Sequence, residues 1–303
     1  MKIIKSVKNL VVYGSTIALI GSGIGFHNDM NQPIDDNATM TDYLIGAHRG
    51  ESSLAVENTK EAIVLASEND EVDYIEVDVR MSKDGKLYLS HDDDVLTLDG
   101  NINISEMMSA EIENTEFIHI KDEKINYFDL IFDNDGREML RRIRGLNGDS
   151  YSIISLSDAM KLFGDKKILL DLKFGDNVLR YVDALKKFFK ERDISNIVFQ
   201  SDDPTSLLYF KSEMPNAFCS ILVRDEESLK YIDYFDGIGI RKDVVDKEFV
   251  VDAINQDKLV LVWTIKSKQD LDKVRDELDE VDDDVIYITD YPDIMSKALK
   301  KNR

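Results

Sequence analysis

From residue 43 onward the sequence is organised in a rhythm, interrupted in two places. Short runs rich in β-branched and aromatic residues alternate with charged segments of helical periodicity. The strand-like runs are 43–48 (YLIGAH), 73–79 (DYIEVDV), 167–173 (KILLDLK), 196–201 (NIVFQS), 217–223 (AFCSILV), 236–241 (DGIGIR), 258–265 (KLVLVWTI) and 285–290 (VIYITD). Helical stretches at 57–69, 177–192, 204–213, 246–255 and 267–280 lie between most of them. Eight strands with helical crossovers predict an α/β fold, a (β/α)8 TIM-type barrel, in which working residues stand at the carboxyl ends of strands. A doubly wound open sheet is the alternative, but no glycine-rich dinucleotide turn follows the first strand. A chain of 303 residues, 43% of them hydrophobic, can bury a core of that size.

Two stretches break the rhythm. In VDVRMSKDGKLYLSHDD a second extended run, 86–91, follows the strand at 73–79 after only a few residues, and Asp84-Gly85 between them is a hairpin turn signal. Folding about that turn brings His91 back roughly opposite Asp78. Residues 99–150 do not alternate and carry many charges. They read as an insertion between the second and third barrel strands, beside the expected active face.

The N-terminal part has a different character. Lys2, Lys5 and Lys8 precede an uncharged, mostly apolar run from Leu10 to Phe26, and acidic sequence follows. This is the pattern of a signal peptide or signal-anchor at 1–26, with 27–42 as a linker and 43–303 as the barrel. Lysines before the run and acids after it place the remainder outside the cell, secreted or attached to the membrane through this segment. The formal net charge of −22 argues against nucleic acid as a partner. Cys219 is the single cysteine, which excludes an intrachain disulfide and fits a small buried strand residue.

The strand ends carry the chemistry. The first gives His48 and Arg49; the second gives Glu76 and Asp78, two apart and so on one face; the returning hairpin gives His91; the third gives Asp171 and Lys173. Adjacent carboxylates repel and are costly to bury, so a hard divalent cation is their natural compensation, and oxygen ligands suit Ca²⁺ or Mg²⁺. Two histidines can share general base and general acid work near neutral pH. Arg49 and Lys173 suit phosphate oxygens. Any one of these residues taken singly is as well explained by a salt bridge; seven of them converging at strand ends points to a site. His27 and His119, in the linker and the insertion, read as structural or exposed.

The same residues carry a family resemblance. HRG at 48–50, ENT at 57–59, IEVDVRMSKDG at 75–85 and SHDD at 90–93 resemble the opening signature of the glycerophosphodiester phosphodiesterases. LLDLK at 169–173, VWTI at 262–265 and ITDYPD at 288–293 extend the likeness over most of 43–300 outside the insertion. The resemblance implies a distorted (β/α)8 barrel using one divalent metal, Ca²⁺ or Mg²⁺. It implies hydrolysis of a small-molecule or lipid-derived glycerophosphodiester to glycerol 3-phosphate and an alcohol. His48 and His91 would be the acid/base pair, Glu76 and Asp78 metal ligands with Asp171 the third carboxylate, and Arg49 and Lys173 the phosphate contacts. Trp263 would pack against substrate, Glu57 and Asn58 would orient the site or start the first helix with Asn58 as its cap, and Gln200 would be a polar contact.

One departure from the pattern matters. The third carboxylate is usually a glutamate, and Asp171 is one methylene shorter. Asp-x-Lys also occurs in the related sphingomyelinase D/phospholipase D-type toxins, so a lipid phosphodiesterase is the alternative activity. A non-catalytic surface module that binds phosphodiester polymers is the alternative of a different class. Val56 replaces a common proline with little chemical effect. In the insertion, Met107, Met108, Phe128, Leu130, Ile131 and Phe132 would form either an apolar lipid-facing surface or the small core of a covering mini-domain.

Overall fold

A computed structural model describes residues 43–119 and 150–301. The N-terminal segment at 1–42 and residues 120–149, with Phe128, Leu130, Ile131 and Phe132, lie outside the described residues.

Strands β1 (Leu44–Ala47) and β2 (Tyr74–Met81) run parallel, with Gly46 beside Tyr74. β3 (Leu87–Leu89) folds back antiparallel on β2, pairing Val79 with Leu89. Its turn is the expected one at Asp84-Gly85: Gly85 adopts φ +90°, a region open to glycine at no steric cost. Next come β4 (Asp94–Thr97), β5 (Gly100–Asn103), β6 (Phe117–Ile118) and β7 (Ser150–Tyr151), which form a separate antiparallel sheet in the order β5-β4-β6-β7. The main sheet resumes with β8 (Lys167–Leu172), β9 (Ile197–Ser201), β10 (Phe218–Val223), β11 (Gly237–Arg241), β12 (Leu259–Ile265) and β13 (Ile286–Thr289). Each pairs parallel with the next, and β13 pairs with β1, so eight parallel strands close into the expected barrel.

Helices cover the outside where the apolar spacing predicts them, and side chains start them. Thr59, Asn177, Asp203, Asp246 and Ser267 accept backbone N–H bonds at the first turns of helices Lys60–Ser67, Val178–Phe189, Pro204–Glu213, Lys247–Ile254 and Lys268–Leu278. Helix Val178–Phe189 buries Tyr181, Val182, Leu185 and Phe189, a single stripe at helical spacing. Between β10 and β11 the connection is a 3₁₀ helix, Glu226–Tyr234, with no buried residue. A last helix, Pro292–Lys301, follows β13. It is absent from the sequence expectation, as are the short strands β4–β7. GNIN and DVLT are too short and polar for alternation to register.

Strand alternation builds two cores. Outward residues of the barrel strands join the helices in the main cluster. Inward positions stack Tyr74, Leu169, Val198, Leu261, Ile286 and Ile288 into an apolar plug toward the amino ends of the strands. The small sheet has a core of its own, in which Tyr88, Val95, Ile104, Met107, Ile112, Phe117 and Ile153 are buried. Met107 therefore belongs to a core, whereas Met108 is 43% exposed. Among the described residues no helix is long and apolar enough to cross a membrane.

Candidate active site

Above the apolar plug the inward positions turn from hydrocarbon to charge. On β2 the order is Tyr74, Glu76, Asp78; on β8 it is Leu169, Asp171, and then Lys173 just past the strand. The parallel register sets Asp78 beside Asp171 and Asp171 beside Gln200. One oxygen from each of Glu76, Asp78 and Asp171 lies within 4.8 Å of the others. Lys173 Nζ reaches Asp78 Oδ1 at 3.0 Å and Asp171 Oδ2 at 2.5 Å.

Three buried carboxylates cannot all ionise without compensation. Burial, then Asp78 and Asp171, push Glu76 well above the usual carboxylate range. Burial also raises Asp171, although Lys173 opposes it. Burial acts on Asp78 in the same sense, but Lys173 and Arg49 outweigh it and hold its carboxyl well below the usual range. Asp171 Oδ1 is buried without a hydrogen-bond partner. An orphaned carboxylate oxygen beside two more at this spacing fits a hard divalent cation, whose oxygen ligands lie about 2.0–2.6 Å from it.

The loop after β1 is bent to serve this triangle. Arg49 sits at φ 60° and Asn58 at φ 58°, both left-handed, and Asn58 N bonds to Arg49 O at 3.0 Å. Arg49 N donates to Glu76 Oε2 at 2.8 Å, its Nη1 donates to Glu57 Oε1 at 2.6 Å, and its Nε lies 3.3 Å from Asp78 Oδ2. Burial disfavours charge on this guanidinium, but Asp78, Glu57 and Glu76 outweigh it, and its pKa lies above the ordinary value. Asn58 is not the helix cap; Thr59 is. The Asn58 amide grips Asp78 twice, donating Nδ2 to Oδ2 at 2.8 Å and accepting the Asp78 backbone N–H at 3.0 Å. Gly50, at φ +79°, lets the turn press on the first helix, where a Cβ would stand 2.7 Å from the Ala62 carbonyl carbon.

The two histidines occupy different settings. His48 Nδ1 lies 2.6 Å from Asp290 Oδ1, at the end of β13. Asp290 also accepts from Ser52 Oγ at 3.3 Å and has Lys266 Nζ at 3.8 Å. A proton on Nδ1 shared with Asp290 leaves Nε2 as the basic nitrogen of the neutral ring. Burial, then Arg49, lower the His48 pKa, and Asp290 pulls the other way. His91 follows β3, its carbonyl held by Arg80 Nε at 2.9 Å and its Nδ1 2.7 Å from Asp92 Oδ1.

One cavity at the carboxyl ends is lined by His48, Arg49, Glu76, Asp78, His91, Asp171, Lys173 and Trp263. These are the seven polar strand-end residues expected from the sequence, with Trp263. Glu57 and Asn58 do not line the cavity but hold residues that do, Arg49 and Asp78. Gln200 lines the same cavity. Trp263 lies against Gly239, where a Cβ would meet the indole Cδ1 and Nε1 at 3.4 Å.

Residues 48–294 match the profile of a family described as the glycerophosphoryl diester phosphodiesterase family. The chain belongs to that family. A glycerophosphodiester phosphodiesterase of Arabidopsis thaliana, GDPD4, is 24% identical over 241 residues, 73% of this chain. The match spans 64% of that relative's length. Among solved structures, an Oleispira antarctica phosphodiesterase in complex with the product sn-glycerol-3-phosphate matches with TM-score 0.63 and 22% identity, over 85% of this chain and 96% of that one. A Thermotoga maritima glycerophosphodiester phosphodiesterase matches with TM-score 0.59 and 23% identity, over 84% and 98%. For this family member, the sequence reading missed two polar residues. Asp290, the partner of His48, was available inside ITDYPD at the end of the last strand. Arg224, the first residue after β10, also lines the cavity. Listing the residue just past every strand would have found both.

Proposed function

We propose that the chain hydrolyses glycerophosphodiesters to glycerol 3-phosphate and an alcohol, with one divalent cation held by Glu76, Asp78 and Asp171. The observation that carries this reading is the carboxylate triangle with its orphaned Asp171 oxygen, set between two histidines in one cavity of a family member. When bound, the cation would supply Lewis-acid polarisation of a phosphoryl oxygen, and Ca²⁺ or Mg²⁺ both suit the donor set.

The protein's own groups do the rest. Arg49 and Lys173 bind the phosphoryl oxygens and draw off charge as the pentavalent state forms. His48 Nε2, basic because Nδ1 is committed to Asp290, takes the proton from the attacking water or from the neighbouring glycerol hydroxyl. His91, on the open side of the cavity, gives a proton to the departing alcohol as its P–O bond breaks. If the glycerol hydroxyl attacks, the product is a cyclic phosphate. Water then opens it with the two histidines in exchanged roles.

The test is glycerol 3-phosphate release from glycerophosphocholine by the full-length protein, with chelator, with Ca²⁺ or Mg²⁺ restored, and with His48→Ala. Metal-restored release that the substitution removes supports the reading. Choline release from sphingomyelin or lysophosphatidylcholine, with none from glycerophosphocholine, would move the assignment to the lipid phosphodiesterases. Metal binding with no turnover of any diester would favour a binding module.

A further inference from the structure

Arg224 has no part in the chemistry above, because Arg49 and Lys173 already meet the reacting phosphate. Yet it lines the same cavity as Trp263. Its guanidinium carbon stands 5.6 Å from the indole centroid, and Nη2 lies 2.8 Å from Asp202 Oδ2. Asp202 and Arg224 are the first residues past β9 and β10, so both stand on the rim of the barrel mouth. Gly239 packs under this corner: a Cβ there would clash with Leu222 Cδ2 at 2.6 Å and come into ordinary contact with the indole at 3.4 Å.

An aromatic face at the mouth of a site is the usual means of holding a quaternary ammonium. Here the cation over the indole is the protein's own. A choline-type group entering this corner meets like charge where it would need a bare ring. A phosphate or carboxylate meets a planar fork of donors, already oriented by the ring beneath it and by Asp202 beside it. The Asp202 pair does not cancel this, because its side chains are 45% and 40% exposed and such pairs are weak in water. An incoming dianion competes for the guanidinium.

We infer that Arg224, held over Trp263, is a specificity-determining residue that selects diesters bearing a second anionic group over diesters of quaternary ammonium alcohols. The substrate class is a phosphodiester with a further phosphate one glycerol unit from the scissile one. For turnover this rests on the proposed hydrolase reading; for binding it does not.

Trp263 is the chain's single tryptophan, so its fluorescence reports on this corner directly. Full-length His48→Ala protein with metal added would be titrated with glycerophosphocholine and with glycerophosphoglycerol phosphorylated at its far hydroxyl. The same pair would be titrated with Arg224→Met and Arg224→Lys in that background. We expect the phosphorylated ligand to bind at least tenfold more tightly. The preference should fall to within about threefold in Arg224→Met and survive in part in Arg224→Lys. An unchanged ratio in Arg224→Met, with an unchanged melting curve, overturns the assignment, as does equal or tighter binding of the choline ligand by the parent. Steady-state rates of the wild-type protein on both compounds separate the two proposals. A binding preference without hydrolysis keeps the Arg224 assignment and sinks the hydrolase. Hydrolysis of both with equal kcat/KM and equal affinity does the reverse.

Discussion

Single residues in this protein are informative through their partners. Asp290 raises the His48 pKa against burial and Arg49. Asp290→Asn should therefore cut kcat roughly 10- to 100-fold and move the acid limb of the pH–rate profile to lower pH. A purely structural role would lower stability and leave that limb in place. Glu51 makes a separate prediction. It is 1% exposed, accepts from Ser53 Oγ at 3.0 Å and Asn69 Nδ2 at 3.3 Å, and burial, then Asp293, push its carboxyl up to about 7 from 4.5. The folded state thus binds this proton more tightly than the unfolded chain. Its stabilising effect is complete below pH 4.5 and lost as pH rises through 7. Glu51→Gln should flatten the fall in stability across that window, by about 3 kcal/mol at most, in denaturant titrations run with chelator. Unchanged pH dependence would remove Glu51 from the account.

At the scale of elements, the segment 57–59 shows two neighbouring residues doing unrelated work. Thr59 accepts the Ala62 N–H at 3.3 Å and starts the first helix, while Asn58 belongs to the carboxylate triangle. Thr59→Ala should cost about 1 kcal/mol of stability with little change in metal affinity. Asn58→Ala should weaken metal binding roughly 10- to 100-fold, measured by calorimetry, because Asp78 loses its orienting amide. If the two substitutions have the same pair of effects, this division is wrong. The helix start was legible in the sequence, but which residue made it was not. Asn and Thr are both good caps, and only the packing of the loop after β1 over β2 turns the Asn58 side chain to Asp78. The small sheet was hidden for a related reason. Its strands carry two to four residues each, and their apolar side chains meet those of Tyr88 and Ile153 from distant positions.

Across the whole molecule, the cation and the fold should be linked. Ca²⁺ or Mg²⁺ at a hundred times its dissociation constant should stabilise the folded state by about 2.7 kcal/mol, seen as a higher melting temperature. Glu76→Gln should abolish that increment, and an increment that survives would place the cation elsewhere. Export of the chain, expected from the lysines and apolar run at 2–26, is likewise a proposal for the intact protein. Fractionation of cells expressing the full chain should find the barrel outside the cytoplasm. The sequence by itself determined the eight strands, the hairpin and seven polar strand ends, because alternation, turn chemistry and strand-end position are local properties. Only the tertiary structure decided that Asp290 holds His48, that Asn58 serves Asp78, and that Arg224 covers the one indole. Those pairings join β13 to β1, the first helix loop to β2, and β10 to β12. Barrel closure and register set such distances, and neither is written in any local stretch of the chain.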